Sequence, residues 1–276
     1  MGTKGRADAP RSDGAVGFFD SGLGGLCILD AFRALCPDES TVYIADSANC
    51  PYGNRPADEI VRLSRANTEE LLSRGCKMVV VACNTATAAA IDTLRAEWPD
   101  VPFIGIEPAI KPAALESKTG IVGVLATAGT FGGRLYRETK AKFAKDVTVI
   151  ATVADEFVEL VESFRVGLGS NKVGLGSTSN RPYLTLNDAK TLNDAKVISV
   201  VKSKIEPLLR AGCDRIVLGC THFPHLRPVI EKVCAGRAVV IDPSDAVARQ
   251  AKRVLSRLGL ARAPSSGAAT HEFIRT

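Results

Sequence analysis

Short apolar runs alternate along this chain with longer segments whose apolar residues recur at helical spacing. The runs are rich in β-branched residues, which is typical of strands buried on both faces of a parallel sheet. Predicted strands are Ala15–Phe19, Thr41–Ala45, the run that delivers Cys83, Phe103–Ile106, Gly120–Ala126, Val147–Val153, the run that delivers Cys220, and Ala238–Ile241. The alternation of strand and helix predicts an α/β fold with parallel sheets and right-handed crossovers.

Residues that favour helix starts and stops bound the segments between these strands. Pro56 suits the first turn of a helix that runs to about Arg74. Ser244 is expected to cap a later helix, whose apolar residues share one face and which Gly259 should end. Further helices are predicted up to Leu35 and over Ala86–Glu97, Asp155–Phe164 and Val197–Arg210.

One stretch of the sequence occurs twice, as Leu71–Thr85 and again as Leu208–His222. Each copy predicts a helix that ends in two leucines and is stopped by a glycine, which can adopt the left-handed conformation. A strand follows and delivers a cysteine, Cys83 in one copy and Cys220 in the other. Ligands of parallel α/β sheets bind at the carboxyl ends of strands. The repeat therefore predicts two thiols that face one site.

Other polar residues are predicted at strand ends, where they converge with the two cysteines. Asp20 and Ser21 follow the first strand and open a glycine-rich turn, which lacks the complete dinucleotide-binding pattern and the lysine of a P-loop. Tyr52 and Gly53 lie in the loop after the second strand. The remaining members of this group are Asn84, Thr85, Thr221 and His222.

Two thiols on opposite sides of one carbon can invert its configuration. One thiol, as thiolate, removes a proton, and the other returns a proton to the opposite face, so that the reaction is a racemisation or epimerisation without a cofactor. Asp20 and His222 are placed to assist the thiols, which work best when their pKa values lie near the operating pH. Neutral Asn, Thr and Ser donors suit the carboxylates of an amino acid.

Composition limits the other classes of function. The chain has 276 residues, 46% hydrophobic and 24% charged, as expected of a globular protein with one large or two small domains. No apolar run approaches the roughly 20 residues of a membrane helix, and we expect a cytoplasmic protein with eight cysteines as thiols. The net charge of +5 is scattered and aromatics are only 5%, which argues against a nucleic-acid platform.

Several sequence motifs together are similar to the motif series of bacterial glutamate racemases, over about Val16 to Leu258. These motifs are Asp20–Leu26, Ala45–Ala48 with Pro51–Asn54, Ala82–Thr87, Ile106–Pro108 and Leu218–Pro224. The resemblance implies two similar α/β domains with pseudo-two-fold symmetry and the active site between them. It also implies interconversion of L- and D-glutamate for peptidoglycan synthesis, with no pyridoxal phosphate or metal. A homodimer is left open.

Domain boundaries follow from this resemblance and from two tandem duplications. We expect a first domain over 15–99 plus 242–262 and a second over 100–241. Val166–Ser170 recurs at Val173–Ser177 and Thr185–Lys190 recurs at Thr191–Lys196, which predicts an exposed low-complexity insertion at 165–196. Residues 1–14 and 263–276 are expected to be disordered tails.

The resemblance also implies roles for individual residues. Cys83 and Cys220 would be the two acid/base groups, with Asp20 assisting Cys83 and His222 assisting Cys220. The residues around the substrate would be Asp20, Ser21, Tyr52, Gly53, Asn84, Thr85, Thr221 and His222. Either Thr127 or Thr130 would add a contact, and Glu162 matches a family glutamate near the site. His225 departs from the family pattern, in which this position is usually apolar.

Two alternatives stay open at this point. A substrate one methylene shorter, such as aspartate, changes little in the motifs, because that difference is worth only about 1–3 kcal/mol in a pocket. The other alternative is a non-catalytic protein that keeps the racemase fold and binds a regulatory partner. The remaining six cysteines are interpreted as structural, because buried thiols commonly pack as small apolar groups.

Overall fold

The computed structural model describes residues 11–166, 194–263 and 267–276, and its strands form two sheets in which every recorded pair is parallel. The five-stranded sheet has the order β4-β3-β1-β2-β9, from β1 (Val16–Asp20), β2 (Thr41–Ala45), β3 (Met78–Val81), β4 (Phe103–Gly105) and β9 (His271–Arg275). The four-stranded sheet has the order β6-β5-β7-β8, from β5 (Ile121–Ala126), β6 (Thr148–Val153), β7 (Arg215–Leu218) and β8 (Val239–Ile241). The predicted α/β fold with parallel sheets is confirmed.

Helices connect the strands and cover the sheets. They are α1 (Leu26–Leu35), α2 (Ala57–Ser73), α3 (Asn84–Glu97), α4 (Ile110–Glu116), α5 (Ala128–Gly132), α6 (Arg134–Phe143), α7 (Glu156–Val166), α8 (Ala195–Arg210), α9 (Arg227–Cys234) and α10 (Ser244–Arg257). Short 3-10 turns span Ser47–Asn49 and Phe223–Leu226. Among the described helices, none is both long enough and apolar enough to span a membrane.

The repeated stretch takes the same order of helix, glycine turn and strand in both sheets, up to the cysteine. The glycines that follow α2 and α8, Gly75 and Gly212, have φ angles of +74° and +86°, the left-handed conformation expected at a helix end. In each copy a leucine of the preceding helix packs on a strand glycine. A Cβ on Gly17 would lie 3.0 Å from Leu71 Cδ1, and one on Gly123 would lie 2.8 Å from Leu208 Cδ1.

These glycines lie on the strands that pair with the cysteine strands. Gly17 of β1 is in register with Val79 of β3, and Gly123 of β5 is in register with Ile216 of β7. Because the glycine lacks a side chain, the helix can lie close to the sheet and set the position of the strand that follows it. The similarity between the two copies therefore extends to Gly17 and Gly123, which lie outside the repeated stretches and pack against their leucines.

The strand β9 corrects the expectation of a disordered tail at 263–276. It pairs with β2 over the register Thr41↔His271 to Ala45↔Arg275. Phe273 stacks on Tyr43, with ring centroids 5.7 Å apart and the planes 3° from parallel. This strand is short, and its burial depends on the neighbouring sheet. Its local sequence is therefore only a weak indication that it forms a strand.

Other expectations were wrong in detail or lie outside the described residues. The boundary placed at residue 99 is wrong for β4, which pairs with β3 in the first sheet although 100–241 was assigned to the second domain. Ser244 is the first residue of α10, and its hydroxyl bonds to Asp242 Oδ1 at 2.7 Å instead of capping the helix. The predicted tail residues 1–10 and most of the predicted insertion, 167–193, fall outside the described ranges.

His271 should make the attachment of β9 sensitive to pH. Its Nδ1 lies 2.9 Å from Thr41 Oγ1, and burial, with the nearby charge of Arg33, lowers its pKa to about 4. A histidine pKa that is lower in the folded state favours the neutral ring. The contribution to stability is therefore complete above the unfolded value of about 6.5 and is lost as the pH falls towards 4. We predict that amide protection of β9 in hydrogen exchange falls over this window.

The His271→Gln variant gives the control for this measurement, because glutamine keeps hydrogen-bonding capacity without titrating. In this variant, the amide protection of β9 should not change between these pH values, once the exchange rates are corrected for the pH dependence of exchange in an unfolded peptide. The edge strand β8, which contains no histidine, serves as an internal reference. Equal loss of protection in β9 of the native chain and the variant would rule out the assignment to His271.

Candidate active site

Cys83 lies where β3 passes into α3. Its side chain is 5% exposed, its sulfur accepts the Ala86 N–H at 3.4 Å, and its thiol lies 3.8 Å from Ser21 Oγ. Burial is the main reason that the pKa of this thiol is raised to about 12, and the charge of Asp20 adds to the increase. Hydrogen bonds from Ala86 and Ser21 act in the opposite sense. This environment therefore favours the neutral thiol of Cys83 at pH 7.

Cys220 occupies the corresponding position after β7 in the second sheet. It is 7% exposed, and its sulfur lies 3.8 Å from His222 Nδ1. Burial raises the pKa of this thiol well above its ordinary value, while the backbone N–H of His222 lowers it. The charge of Asp20, and that of Cys83 when it is a thiolate, raise it further. Asp20 thus influences both sulfurs.

Asp20 connects the two cysteine loops. Its Oδ2 accepts the N–H groups of Gly25 at 3.0 Å and Gly22 at 3.3 Å, and its Oδ1 accepts the Thr221 hydroxyl at 3.3 Å. Burial raises the pKa of this carboxyl, and the nearby His222 opposes that increase. A residue at the end of β1 in the first sheet is therefore bonded directly to the residue that follows Cys220 in the second.

Glu162 holds the ring of His222 from the other side. His222 Nε2 lies 2.7 Å from Glu162 Oε1, and the same oxygen accepts the Leu23 N–H at 3.0 Å. The sequence left open whether Glu162 lies near the site, and the structure places it against His222. A side chain at Gly24 would meet His222 Nδ1 at 2.5 Å and the His222 backbone nitrogen at 2.8 Å. Glycine at position 24 therefore allows this close approach.

Asn84 and Thr85 form the first turn of α3 beside Cys83. Both polar atoms of the Asn84 amide are buried and have no hydrogen-bond partner within the described ranges. Leaving such a group unpaired costs roughly 1–3 kcal/mol, so that Asn84 is suited to bind a polar ligand. Thr85 Oγ1 lies 2.9 Å from Thr127 Oγ1, which in turn lies 3.0 Å from Thr130 Oγ1. Of the two threonines left open, Thr127 is the one that contacts a predicted site residue.

Tyr52 is brought to the neighbourhood of the site, but its hydroxyl is bonded within the protein. That hydroxyl donates to Asp46 Oδ2 at 2.6 Å and accepts the Asn67 Nδ2 hydrogen at 3.2 Å. Burial, followed by the Asp46 hydrogen bond, raises the pKa of Tyr52. Gly53 lies against Thr127, whose Cβ would be 3.2 Å from a Cβ on the glycine. This loop therefore presents its backbone rather than the tyrosine hydroxyl to the threonines.

Two further residues support the site without having been assigned to it. Asp46 accepts the hydrogen bond from the Tyr52 hydroxyl. It comes directly after β2, whereas Asp20 is the last residue of β1, so that its position at a strand end was a usable signal. His225 stands at the position that departs from the family pattern. It is buried, and its Nε2 lies 3.1 Å from the Gly24 carbonyl oxygen, which supports the turn that contacts His222.

Two surface cavities lie away from these residues. One, of about 540 Å³, is bounded by β4, by the segment before it and by α10, with Arg95 and Arg257 in its wall. The other, of about 620 Å³, lies beside Lys77 and β9. Neither contains a predicted site residue, and neither holds a thiol at the carboxyl end of a strand.

Known proteins similar to this chain share one family. A family model described as Asp/Glu/hydantoin racemase matches residues 27–251. A glutamate racemase of Herpetosiphon aurantiacus is 42% identical over 90% of this chain and 87% of its own length. A glutamate racemase of Pseudomonas aeruginosa is 39% identical over 94% of this chain and 87% of its own length.

Solved structures give the same result. A Bacillus anthracis glutamate racemase isoform has a TM-score of 0.76 and 27% identity, and the match covers 95% of this chain and 88% of the other. An Escherichia coli glutamate racemase, crystallised with L-glutamate and the activator UDP-MurNAc-Ala, has a TM-score of 0.71 and 28% identity. That match covers 95% of this chain and 98% of the other.

The raised pKa of Cys83 predicts a particular pH dependence for its alkylation. Iodoacetamide reacts with the thiolate, so that the rate follows the thiolate fraction. With a pKa of about 12, that fraction should rise about tenfold per pH unit between about pH 8 and 10. Mass spectrometry of the Cys83 peptide after timed labelling measures the rate. In the denatured chain the rate for the same peptide should be half-maximal near about pH 8.5 and level off above about pH 9.5. The same levelling-off in the folded chain would refute the prediction.

Proposed function

The chain belongs to the Asp/Glu/hydantoin racemase family, and we propose that it interconverts L- and D-glutamate at the site formed by Cys83 and Cys220. The observation that carries this proposal is the delivery of two buried thiols by equivalent strands of two parallel sheets, joined through Asp20 and Thr221. Identity of about 40% to curated glutamate racemases over most of the chain supports glutamate as the substrate.

In this proposal the two thiols act on opposite faces of the α-carbon. One sulfur, as thiolate, takes the α-hydrogen as a proton and leaves a planar carbanion, and the thiol on the other side donates its proton to the opposite face. The first cysteine is then the thiol and the second the thiolate. The reverse reaction exchanges the roles, so that neither cysteine is base alone. Both steps are general acid–base catalysis.

The elevated thiol pKa values have two opposing effects. Few molecules carry a thiolate in the unliganded site, but a thiolate with a high pKa is a stronger base towards an α-hydrogen. The ammonium group of glutamate would bring a positive charge next to the sulfurs, and a nearby positive charge favours the thiolate. Ala86 N–H and Ser21 already stabilise charge on Cys83. Substrate binding is therefore expected to generate the base.

Neutral donors at strand ends would orient the substrate. The unpaired amide of Asn84 and the hydroxyls of Ser21, Thr85 and Thr221 are suited to the two carboxylates, because they donate hydrogen bonds without bringing a competing charge. Asp20 carries the opposite charge to the substrate ammonium. For Tyr52 and Gly53 we propose a contribution through the loop backbone, since the Tyr52 hydroxyl bonds to Asp46.

His222 and Asp20 would assist one thiol each. Asp20 is the largest influence on the pKa of Cys83 after burial, whereas His222 Nδ1 lies 3.8 Å from Cys220. Glu162 fixes the orientation of the His222 ring.

D-Glutamate made in this way would supply peptidoglycan synthesis. Homodimerisation remains a prediction.

Substitution of either thiol tests the mechanism, and the chain offers two matched controls. Cys76 and Cys213 are buried cysteines that precede the two catalytic strands in the same repeat. We predict that Cys83→Ala and Cys220→Ala each lower glutamate racemisation by about 10²–10⁴-fold or more, the usual contribution of an acid/base group. Cys76→Ala and Cys213→Ala should stay within about tenfold of the native chain, because they remove only packing atoms.

Racemisation is measured by circular dichroism without added cofactor, and α-hydrogen exchange by proton NMR in D₂O. The native chain should exchange the α-hydrogen of both enantiomers for deuterium. Undiminished racemisation in both Cys83→Ala and Cys220→Ala would show that the thiols are not the acid/base pair. A native chain that turns over aspartate but not glutamate would contradict the substrate assignment.

A further inference from the structure

Three metal-ligating side chains meet on the side of His222 that faces away from Cys220. They are Cys50 from the loop after β2, Glu162 from α7, and His222 itself. One ligand atom of each, a thiol sulfur, a carboxylate oxygen and a ring nitrogen, lies within 4.8 Å of the other two. His222 Nε2 and Glu162 Oε1 are 2.7 Å apart. The three come from distant parts of the sequence, so that no spacing motif reveals them.

The backbone at Gly22 creates the room that this cluster needs. A Cβ on Gly22 would lie 2.5 Å from Glu162 Oε1 and 3.2 Å from Cys50 Sγ. The thiol and the carboxylate therefore both lie against the bare face of the same glycine. Any larger residue at position 22 would push one of them away.

Two carboxylates lie at the cluster. Glu162 belongs to it, and Asp20 accepts the N–H of Gly22, the glycine against which Glu162 and Cys50 lie. These carboxylates would attract a dication. Cys50 would bind it as a thiolate, since a coordinating metal deprotonates a thiol.

We propose that Cys50, Glu162 and His222 bind a thiophilic divalent cation of the Zn²⁺ type. Sulfur, imidazole nitrogen and carboxylate oxygen are the donors that zinc uses, at about 2.3, 2.0 and 2.1 Å respectively. A tetrahedral ion with these bond lengths holds its donor atoms roughly 3.3–3.7 Å apart. His222 Nε2 and Glu162 Oε1, which are 2.7 Å apart, would have to separate by roughly 0.6 Å to admit the ion, and a water would take the fourth position.

Zinc at this site inhibits the reaction, a consequence that rests on the proposed function. The ion takes the lone pair of His222 Nε2 and replaces the Glu162 hydrogen bond, which leaves Nδ1 protonated towards Cys220. His222 can then no longer accept a proton from the thiol. A chelator that removes the ion reverses the inhibition, because zinc does not modify the protein covalently.

Direct metal binding tests the site independently of turnover. Chelator-treated full-length chain is titrated with Zn²⁺ in competition with a chromogenic chelator, and with Co²⁺ to record thiolate-to-metal charge transfer. We expect one ion per chain. Cys50→Ser should abolish the charge-transfer band and weaken zinc binding by at least about tenfold. Glu162→Gln should weaken zinc binding by a similar factor, because each variant removes one ligand. If one of these variants fails to fold, the other still tests the site.

Two variants serve as controls. Cys36→Ser removes a half-buried thiol at the end of α1, and Cys83→Ala removes a catalytic thiol that is not in the cluster. Both should bind zinc as the native chain does. Binding by a Cys83→Ala chain without racemase activity would show that the metal site does not depend on catalysis.

Three results would overturn the proposal. The first is absence of zinc binding by the native chain, and the second is native affinity in both Cys50→Ser and Glu162→Gln. The third is loss of binding in Cys220→Ala with retention in Cys50→Ser, which would place the ion on the catalytic thiol. A native chain that binds zinc through Cys50 but does not racemise glutamate would refute the proposed function and leave the metal site intact.

Discussion

The hydrogen bond from Thr221 to Asp20 is the interaction on which the arrangement of the site depends. Asp20 ends β1 in the first sheet, and Thr221 follows Cys220 in the second, so that one carboxylate holds both cysteine loops together. The other oxygen of Asp20 is fixed by backbone N–H groups of the glycine-rich turn. Because this carboxylate is buried, loss of its partners would leave an unpaired polar group, which is costly. The same turn positions Gly24 against His222.

Burial gives the two thiols their character and sets the cost of using them. Both sulfurs are almost inaccessible and carry raised pKa values, mainly through desolvation. This environment makes each thiolate a strong base but a rare species before substrate binds. In the proposed reaction, the ammonium group of the substrate would supply the compensating charge, and its carboxylates would bind neutral donors at the strand ends. Selectivity for an amino acid and activation of the base would then have the same electrostatic origin.

Local sequence predicted the parts of this molecule that repeat and the parts that lie at strand ends. The two copies around Cys83 and Cys220, with their helix-stopping glycines, predicted both parallel strands and both thiols. The packing of Leu71 on Gly17 and of Leu208 on Gly123 was not visible, because each pair joins distant residues. Glu162 was left open for the same reason, since its contact with His222 is created by the fold. Tyr52 was predicted to lie around the substrate, and the bond from its hydroxyl to Asp46 was not predicted.

The claim that two thiols address one carbon is tested most directly by a crystal structure of the chain with bound D-glutamate. This account predicts that Cys83 Sγ and Cys220 Sγ lie on opposite sides of the α-carbon, each within about 4 Å, the range of van der Waals contact. Glutamate bound elsewhere, or bound with both sulfurs on one face of the α-carbon, would contradict it.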